Sequence, residues 1–214
     1  MTITEREDAL FERWRARRPR LVRDGLVDEA AYLASSPRVA LVLKDVNDEG
    51  GGGWDLREVL RDGPRWQTWN TVARWSRGLR ALDRDLPWAE VGPKPTADER
   101  REAARPLCVV NLKKEPGGAA SVRSDVARYA REDADLLGEQ LALYGPDVTV
   151  CCGVGADFAT AAGIEAWRRT TRGVRYAEVD GGLAVDYYHP QARYPADMLY
   201  YTLIDAVREL WRPG

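Results

Sequence analysis

The sequence predicts an α/β fold, an open and mainly parallel sheet covered by helices. Three continuous apolar runs have the length of strands that are buried on both faces: 38–43, 107–110 and 148–152. Helical patterns separate these runs, and strands that alternate with helices pair in parallel through right-handed crossovers. Two further extended segments, 174–180 and 183–188, flank a Gly-Gly pair and can form a hairpin. A chain of 214 residues without internal repeats fits a single domain, 1–214.

Helices are indicated where apolar residues recur at intervals of three and four. The first two helices precede the first strand, within about 1–36. A Pro-rich connector at 92–95 leads to a polar helix, and one long amphipathic helix is expected over 121–144. The predicted helices are 4–18, 28–33, 55–61, 66–81, 96–104, 121–144, a short one after 153–155, and 196–211.

Composition and charge exclude several classes of protein. The chain has 32 basic and 34 acidic residues and a net charge of −2, so it lacks the global basicity of a non-specific nucleic-acid coat protein, although a local basic groove remains possible. It has no apolar run of membrane-spanning length, and a charged beginning without a signal core predicts a cytoplasmic protein. Cys108, Cys151 and Cys152 show no Cys-x-x-Cys spacing and lie in apolar runs, as expected of small hydrophobic residues. We therefore expect no metal, no iron–sulfur cluster and no cofactor.

Unusual polar loops follow the predicted strands. They are 44–54, 111–118, 153–155 and 189–194. In open α/β sheets, ligands bind beyond the carboxyl ends of the strands. These four loops therefore predict one site at one edge of the sheet.

His189, the only histidine, is the first candidate for chemistry. It leaves the last strand just before Pro190, which fixes the backbone, and imidazole titrates near neutrality. A satisfied structural histidine is the alternative. Its position at a strand exit, between tyrosines and ahead of Arg193, favours a site.

The loop after the first strand offers three more candidates. Asp45 can act as a base or hold a water molecule, or it can simply form a turn. Lys44 can pair with it or bind a phosphate, or remain solvated. Trp54 follows four glycines at 50–53 and can stack on a flat ligand or fill the core. If it stacks, we expect the loop to become ordered only when the ligand binds, because ordering glycine costs the most entropy.

The loops after the second and third strands add an amide and cations. Asn111 presents one donor and one acceptor, which suits the edge of a nucleobase, or it caps the turn. Lys113 and Lys114, ahead of a Pro-Gly-Gly segment, can hold a phosphate. Gly153-Val-Gly155 is half of a dinucleotide fingerprint, but Phe158 replaces its third glycine. We therefore expect no nicotinamide cofactor.

With these loops in this order, the chain resembles the uracil-DNA glycosylase superfamily over roughly residues 38–212. It is most similar to the branch that usually carries an iron–sulfur cluster. The segments that carry the resemblance are 44–56, 111–117, 144–153 and 188–191, the last reading Tyr-His-Pro-Gln. The chain departs from that pattern at Lys44 for glycine, Asn47 for proline, Trp54 for phenylalanine and Gln191 for serine, and it has no four-cysteine set.

The resemblance implies a three-layer α/β/α fold with a central, mainly parallel four-stranded sheet. It implies a DNA N-glycosylase that excises a deaminated or modified base after the base has left the stack. Trp54 would stack on this base, and Asn111 and Asn47 would bind it. His189 would donate to the oxygen on which negative charge grows. Asp45 would position water and stabilise the cationic sugar.

The resemblance also implies contacts to DNA phosphates or a wedge in the duplex. The residues concerned are Lys44, Lys113, Lys114, Gly153, Arg193 and Tyr194. The partner would be single- or double-stranded DNA. The protein would bind it as a monomer and would not associate with a membrane. Two alternatives stay open: a hydrolase of free nucleosides or nucleotides, which the pI of about 5.7 favours, and a non-catalytic base- or nucleic-acid-binding module, which the departures in the first motif favour.

Overall fold

The apolar runs form one mixed β-sheet. The structure, a computed structural model, describes residues 1–48, 50–64, 67–118 and 121–211. Within these ranges the chain has seven strands: β1 Gly25–Leu26, β2 Val39–Leu43, β3 Leu107–Asn111, β4 Val148–Cys152, β5 Arg168–Arg169, β6 Arg175–Val179 and β7 Gly182–Tyr187. The predicted α/β class and the hairpin, which is β6–β7, are confirmed.

The order of strands is β1-β3-β2-β4-β7-β6-β5, and β3, β2, β4 and β7 are mutually parallel. The expected four-stranded, mainly parallel sheet is not confirmed, because the sheet is mixed and has seven strands: β1 adds an antiparallel strand to β3, and the β5–β6 pair extends the sheet beyond β7. The two strands at the ends of the sheet, β1 and β5, have only two residues each and lack an apolar run that would predict them.

Ten helices lie within the described ranges. They are α1 Ile3–Arg17, α2 Glu29–Leu33, α3 Leu56–Arg61, α4 Thr68–Leu79, α5 Trp88–Val91, α6 Ala97–Ala104, α7 Arg123–Glu132, α8 Ala134–Tyr144, α9 Gly155–Ala162 and α10 Ala196–Leu210. α1 and α6 begin at capping boxes, at Thr2 and Thr96, where each side chain satisfies an N–H group of the first turn. The predicted start of the fourth helix at Trp66 lies outside the described residues.

The single helix expected over 121–144 is wrong, because Asp133 divides it into α7 and α8. Its backbone leaves the helical region, and its buried carboxylate accepts hydrogen bonds from the Trp14 indole at 3.1 Å and from the Arg18 Nε at 3.0 Å. The periodicity of apolar residues continues across this break, so the pattern alone does not reveal it.

Alternate residues of the strands supply two hydrophobic cores, one on each face of the sheet. Val39 and Leu41 pack with α3, α4 and α10, whereas Ala40 and Val42 pack with α1, α7 and α8. The three cysteines are fully buried in these cores, as expected of small hydrophobic residues. No helix in the described part of the chain has the length and apolar character needed to span a membrane.

Candidate functional site

The four predicted loops meet at the carboxyl edge of the parallel strands. β2 connects to β3 on one side, and its neighbour β4 connects onward to β7 on the other, so the chain diverges between β2 and β4. The helices of these connections lie on opposite faces of the sheet. Such a divergence opens a crevice at the carboxyl ends of the two strands. Lys44 and Asp45 follow β2 at this crevice, Gly153 follows β4, and His189 follows the next strand, β7.

Gly153 brings the ends of β4 and β7 together. Its φ is +73°, a left-handed conformation that favours glycine, and its N–H donates to the Tyr187 carbonyl at 2.7 Å. A Cβ at this position would lie 3.4 Å from both the Cβ and the backbone nitrogen of His189. Gly153, which was predicted to contact phosphate, therefore lies directly beside the histidine, and its positive φ is what favours glycine there.

The protonation of His189 follows from its hydrogen bond. The backbone N–H of Gln191 donates to Nδ1 at 3.1 Å, so Nδ1 carries no proton and the neutral ring holds its proton on Nε2. Burial, and then the positive charge of Lys44, lower the pKa of His189 below its ordinary value of 6.5. At neutral pH the side chain is thus a neutral donor, and its Nε2–H has no partner among the residues that the structure describes.

Asp45 is held in place by two neighbours from the loop after β3. Lys113 Nζ donates to Oδ2 at 3.2 Å, and the Ser121 hydroxyl donates to Oδ1. The side chain of Asp45 is 3% exposed and that of Lys113 is 10% exposed. A Cβ at Gly117 would overlap Oδ2, so this position requires glycine for space. Lys113 therefore orients a carboxylate, and the expectation that it binds phosphate is not supported by its position.

Asp45 and His189 stand on opposite sides of β4. Neighbouring strands lie about 4.8 Å apart, so the ends of β2 and β7 are separated by about 10 Å. Gly153, between them, has no side chain. The arrangement places a carboxylate and a neutral imidazole donor on either side of an uncrowded strand end.

The glycine loop after β2 has a defined conformation. Asp48 accepts hydrogen bonds at its carboxylate from the Gly52 N–H at 3.0 Å and from the Trp54 indole at 2.7 Å. Gly53 donates to the Leu21 carbonyl at 3.1 Å, and the φ angles of Gly50, Gly52 and Gly53 are positive. These hydrogen bonds fix the conformation from within the protein, and the ordering of this loop by a ligand stays a prediction.

Trp54 and Asn47 occupy different environments in this loop. The Trp54 ring is half-buried and packs against the core, while its N–H is bound to Asp48. One part of the ring fills the core and another remains exposed, so both interpretations of this residue apply in part. Asn47 is exposed and forms a backbone bridge with Gly117, which joins the loops after β2 and β3.

Lys114 is a core residue, which argues against the prediction that it binds phosphate. Its side chain is fully buried and donates to Asp24 at 2.7 and 2.8 Å and to the Gln140 carbonyl at 2.8 Å. The ammonium lies 4.7 Å from the centre of the Trp14 ring. Burial lowers the pKa of Lys114, although Asp24 opposes this effect. No phosphate can replace a counter-ion at this depth without opening the core.

The same carboxylate fixes Asn111. Asp24 accepts from the Asn111 backbone N–H at 2.8 Å and from its side-chain amide at 3.3 Å. Asn111 is 3% exposed. Its Nδ2 is therefore engaged within the protein, and an amide turned to a ligand would offer its oxygen, an acceptor for base N–H groups.

The start of α9 is also engaged. The Gly155 N–H donates to Asp186, whose pKa is raised by burial and which pairs with Arg175 on the neighbouring strand. In dinucleotide-binding folds this helix terminus holds a pyrophosphate. A carboxylate at this position disfavours such a phosphate.

Arg193 and Tyr194 lie exposed beyond His189, as a contact role requires. Sequence reasoning missed Ser121, Asp48, Asp24 and the Gln191 N–H. Asp24 stands outside the four loops, and its partners lie up to 116 positions away. Asp48 had a local signal, an acid directly before a glycine run. The other two had none.

Within the described ranges, no three histidine, cysteine, aspartate or glutamate residues are arranged to hold a metal ion. Comparison of the chain with models of protein families and with curated proteins gives no match.

Proposed function

We propose that this chain is a DNA N-glycosylase, of the kind its motifs resemble, which hydrolyses the glycosidic bond of a deaminated or modified base. The observation that carries the proposal is the neutral His189 with Nε2–H available beside Lys44. When the glycosidic bond breaks, the base leaves with the bonding electrons, and negative charge grows on its carbonyl oxygen. A hydrogen-bond donor fixed at that oxygen stabilises the transition state more than the ground state.

A neutral imidazole suits this task because its Nε2–H donates a hydrogen bond to the base oxygen directly, with no prior exchange of a proton with solvent. The Gln191 N–H fixes the tautomer, so the ring does not need to reorganise during the reaction. The nearby charge of Lys44 favours the same developing anion.

Asp45 supplies the opposite charge. As the base departs, the sugar becomes cationic, and a carboxylate on the other side of the β4 end can stabilise it and orient water. Water adds its hydroxyl to the sugar, and its remaining proton neutralises the departing base. Lys113 and Ser121 hold the carboxylate in one orientation, which supports positioning at little entropic cost.

A screen for excision tests the proposal. Oligonucleotides carrying uracil, hypoxanthine, xanthine or hydroxymethylated pyrimidines would be incubated with the protein, and abasic sites revealed by alkaline cleavage. Abasic product from at least one of them is expected. Binding without product would instead identify a non-catalytic base-binding module.

A hydrolase of free nucleosides or nucleotides is the second candidate. Two of the four cations in the site loops form ion pairs with carboxylates, Lys113 with Asp45 and Lys114 with Asp24. The net charge of the chain is −2. Both facts weaken attraction to a polyanion. Turnover of a mononucleoside together with absence of oligonucleotide binding would favour this candidate.

A further inference from the structure

Two exposed tyrosines stand beside the catalytic candidate. Tyr188 immediately precedes His189 and is 43% exposed, and Tyr194 lies five residues beyond it and is 50% exposed. Their ring centres are 4.8 Å apart. Exposed Met198 and Arg193 lie close in sequence. Single exposed apolar residues are ordinary, whereas two exposed rings in contact form a contiguous apolar surface of the kind found at binding sites.

The two rings are supported from the core. Trp75 and Tyr187 pack edge-on with their ring centres 5.5 Å apart, and Tyr187 and Tyr188 pack edge-on with their ring centres 5.3 Å apart. The Tyr187 hydroxyl donates to the Leu199 carbonyl at 2.8 Å, which anchors this series to α10. The outer rings are therefore held by packing, and a ligand that stacks on them need not immobilise them first.

The charges of the site loops favour an unpaired strand over a duplex. Of the cations in these loops, as far as the structure describes them, Lys44 and Arg193 have no carboxylate partner, whereas Lys113 and Lys114 do. Two such cations supply few phosphate contacts, whereas a protein that makes about 6–10 of them binds duplex DNA with a steep salt dependence. Stacking on aromatic rings is strong for single strands, because unpaired bases expose their faces.

We propose that Tyr188 and Tyr194 form a stacking surface for the unpaired bases that flank the excised base, so that the preferred substrate is single-stranded DNA. This inference rests on the proposed function for its biological meaning, but the binding surface can be tested without any excision. The strand would cross the carboxyl edge of the sheet, with its phosphates near Lys44 and Arg193.

The test is fluorescence anisotropy with a labelled, unmodified oligothymidylate of about 12 nucleotides, and with a duplex of the same length. Wild-type protein is expected to bind the single strand more tightly than the duplex. Its salt dependence should be shallow, with a logarithmic slope of about −1.4 for two phosphate contacts. Tyr188→Ala and Tyr194→Ala should each weaken single-strand binding by about 5- to 150-fold.

Conservative variants separate stacking from a structural effect. Tyr188→Phe and Tyr194→Phe keep the rings and should bind within about twofold of wild type, by the same stacking argument. Leu33→Ala is the matched control, because Leu33 is 51% exposed on α2, which leads into the amino end of β2, away from the loops. Tighter binding of the duplex, unchanged binding by the alanine variants, or no binding of the single strand would each overturn the inference.

The outcomes distinguish this inference from the proposed function. If the wild type excises a base but Tyr188→Ala and Tyr194→Ala bind the single strand as tightly as the wild type does, the glycosylase proposal stands and the stacking surface is overturned. Loss of single-strand binding in those variants supports the surface even if the wild type excises no base.

Discussion

Gly117→Ala offers a sharp test of the role of Asp45, because the new methyl group would overlap the Oδ2 atom of that carboxylate and lie 3.0 Å from its Cγ. The φ of Gly117 is not positive, so alanine meets no backbone strain and the effect is one of space alone. The carboxylate must withdraw by on the order of 1 Å, a displacement that can cost about 10²-fold in rate when the group acts on the reacting atoms. Crowding of this kind also costs about 1–3 kcal/mol of stability.

Excision would be measured under single-turnover conditions, together with the urea midpoint of unfolding. Gly138→Ala is the control, since a Cβ on this helical residue of α8 meets nothing within 4 Å. A Gly117→Ala protein that folds and excises at the wild-type rate would refute the reasoning, because it would show that the position of Asp45 does not matter.

Three further predictions concern the neighbours of the site. Lys114→Met should lower the free energy of unfolding by about 3–5 kcal/mol, because it leaves the Asp24 carboxylate buried without its cation. The double variant Lys114→Met, Asp24→Asn should lose less stability than the sum of the two single variants; losses that simply add in urea titrations would contradict the buried ion pair. The pKa of His189 is lowered, so the neutral donor persists below pH 6.5 and the fall of the excision rate in acid should lie below that value. Lys44→Gln removes one of the two causes of the lowered pKa and should move this fall to higher pH; an unchanged pH profile would refute the influence of Lys44. Trp54→Phe keeps a ring but loses the N–H that donates to the loop carboxylate, so it should raise hydrogen-exchange rates in the glycine loop, and unchanged exchange would contradict that bond.

Sequence patterns were sufficient for the buried strands and for the edge at which the loops gather. Continuous apolar runs report burial on both faces, and parallel pairing then places the loops after β2, β3, β4 and β7 together. The edge strand β5 was not predicted, because it consists of two exposed arginines whose pairing with β6 leaves no hydrophobic pattern in the sequence. The break at Asp133 escaped because its partners, Trp14 and Arg18, are more than 110 positions away.

Candidate site residues were found by type, but their environments depend on the tertiary structure. Lys113 and Lys114 are adjacent and identical in sequence, yet one binds Asp45 at the crevice and the other binds Asp24 in the core. Only the fold decides which acid each cation meets. The tautomer of His189 likewise depends on a turn that brings the Gln191 N–H back to the ring.

The most direct test of the central claim is the single-turnover excision rate of His189→Ala on the oligonucleotide that the screen identifies. The loss of one fixed donor to a developing oxyanion should lower this rate by about 10²–10³-fold while substrate binding changes little. Gln191→Ala is the matched control, since the bond to Nδ1 comes from the backbone N–H and survives the substitution, so its rate should stay near that of the wild type. An undiminished rate for His189→Ala would contradict the account.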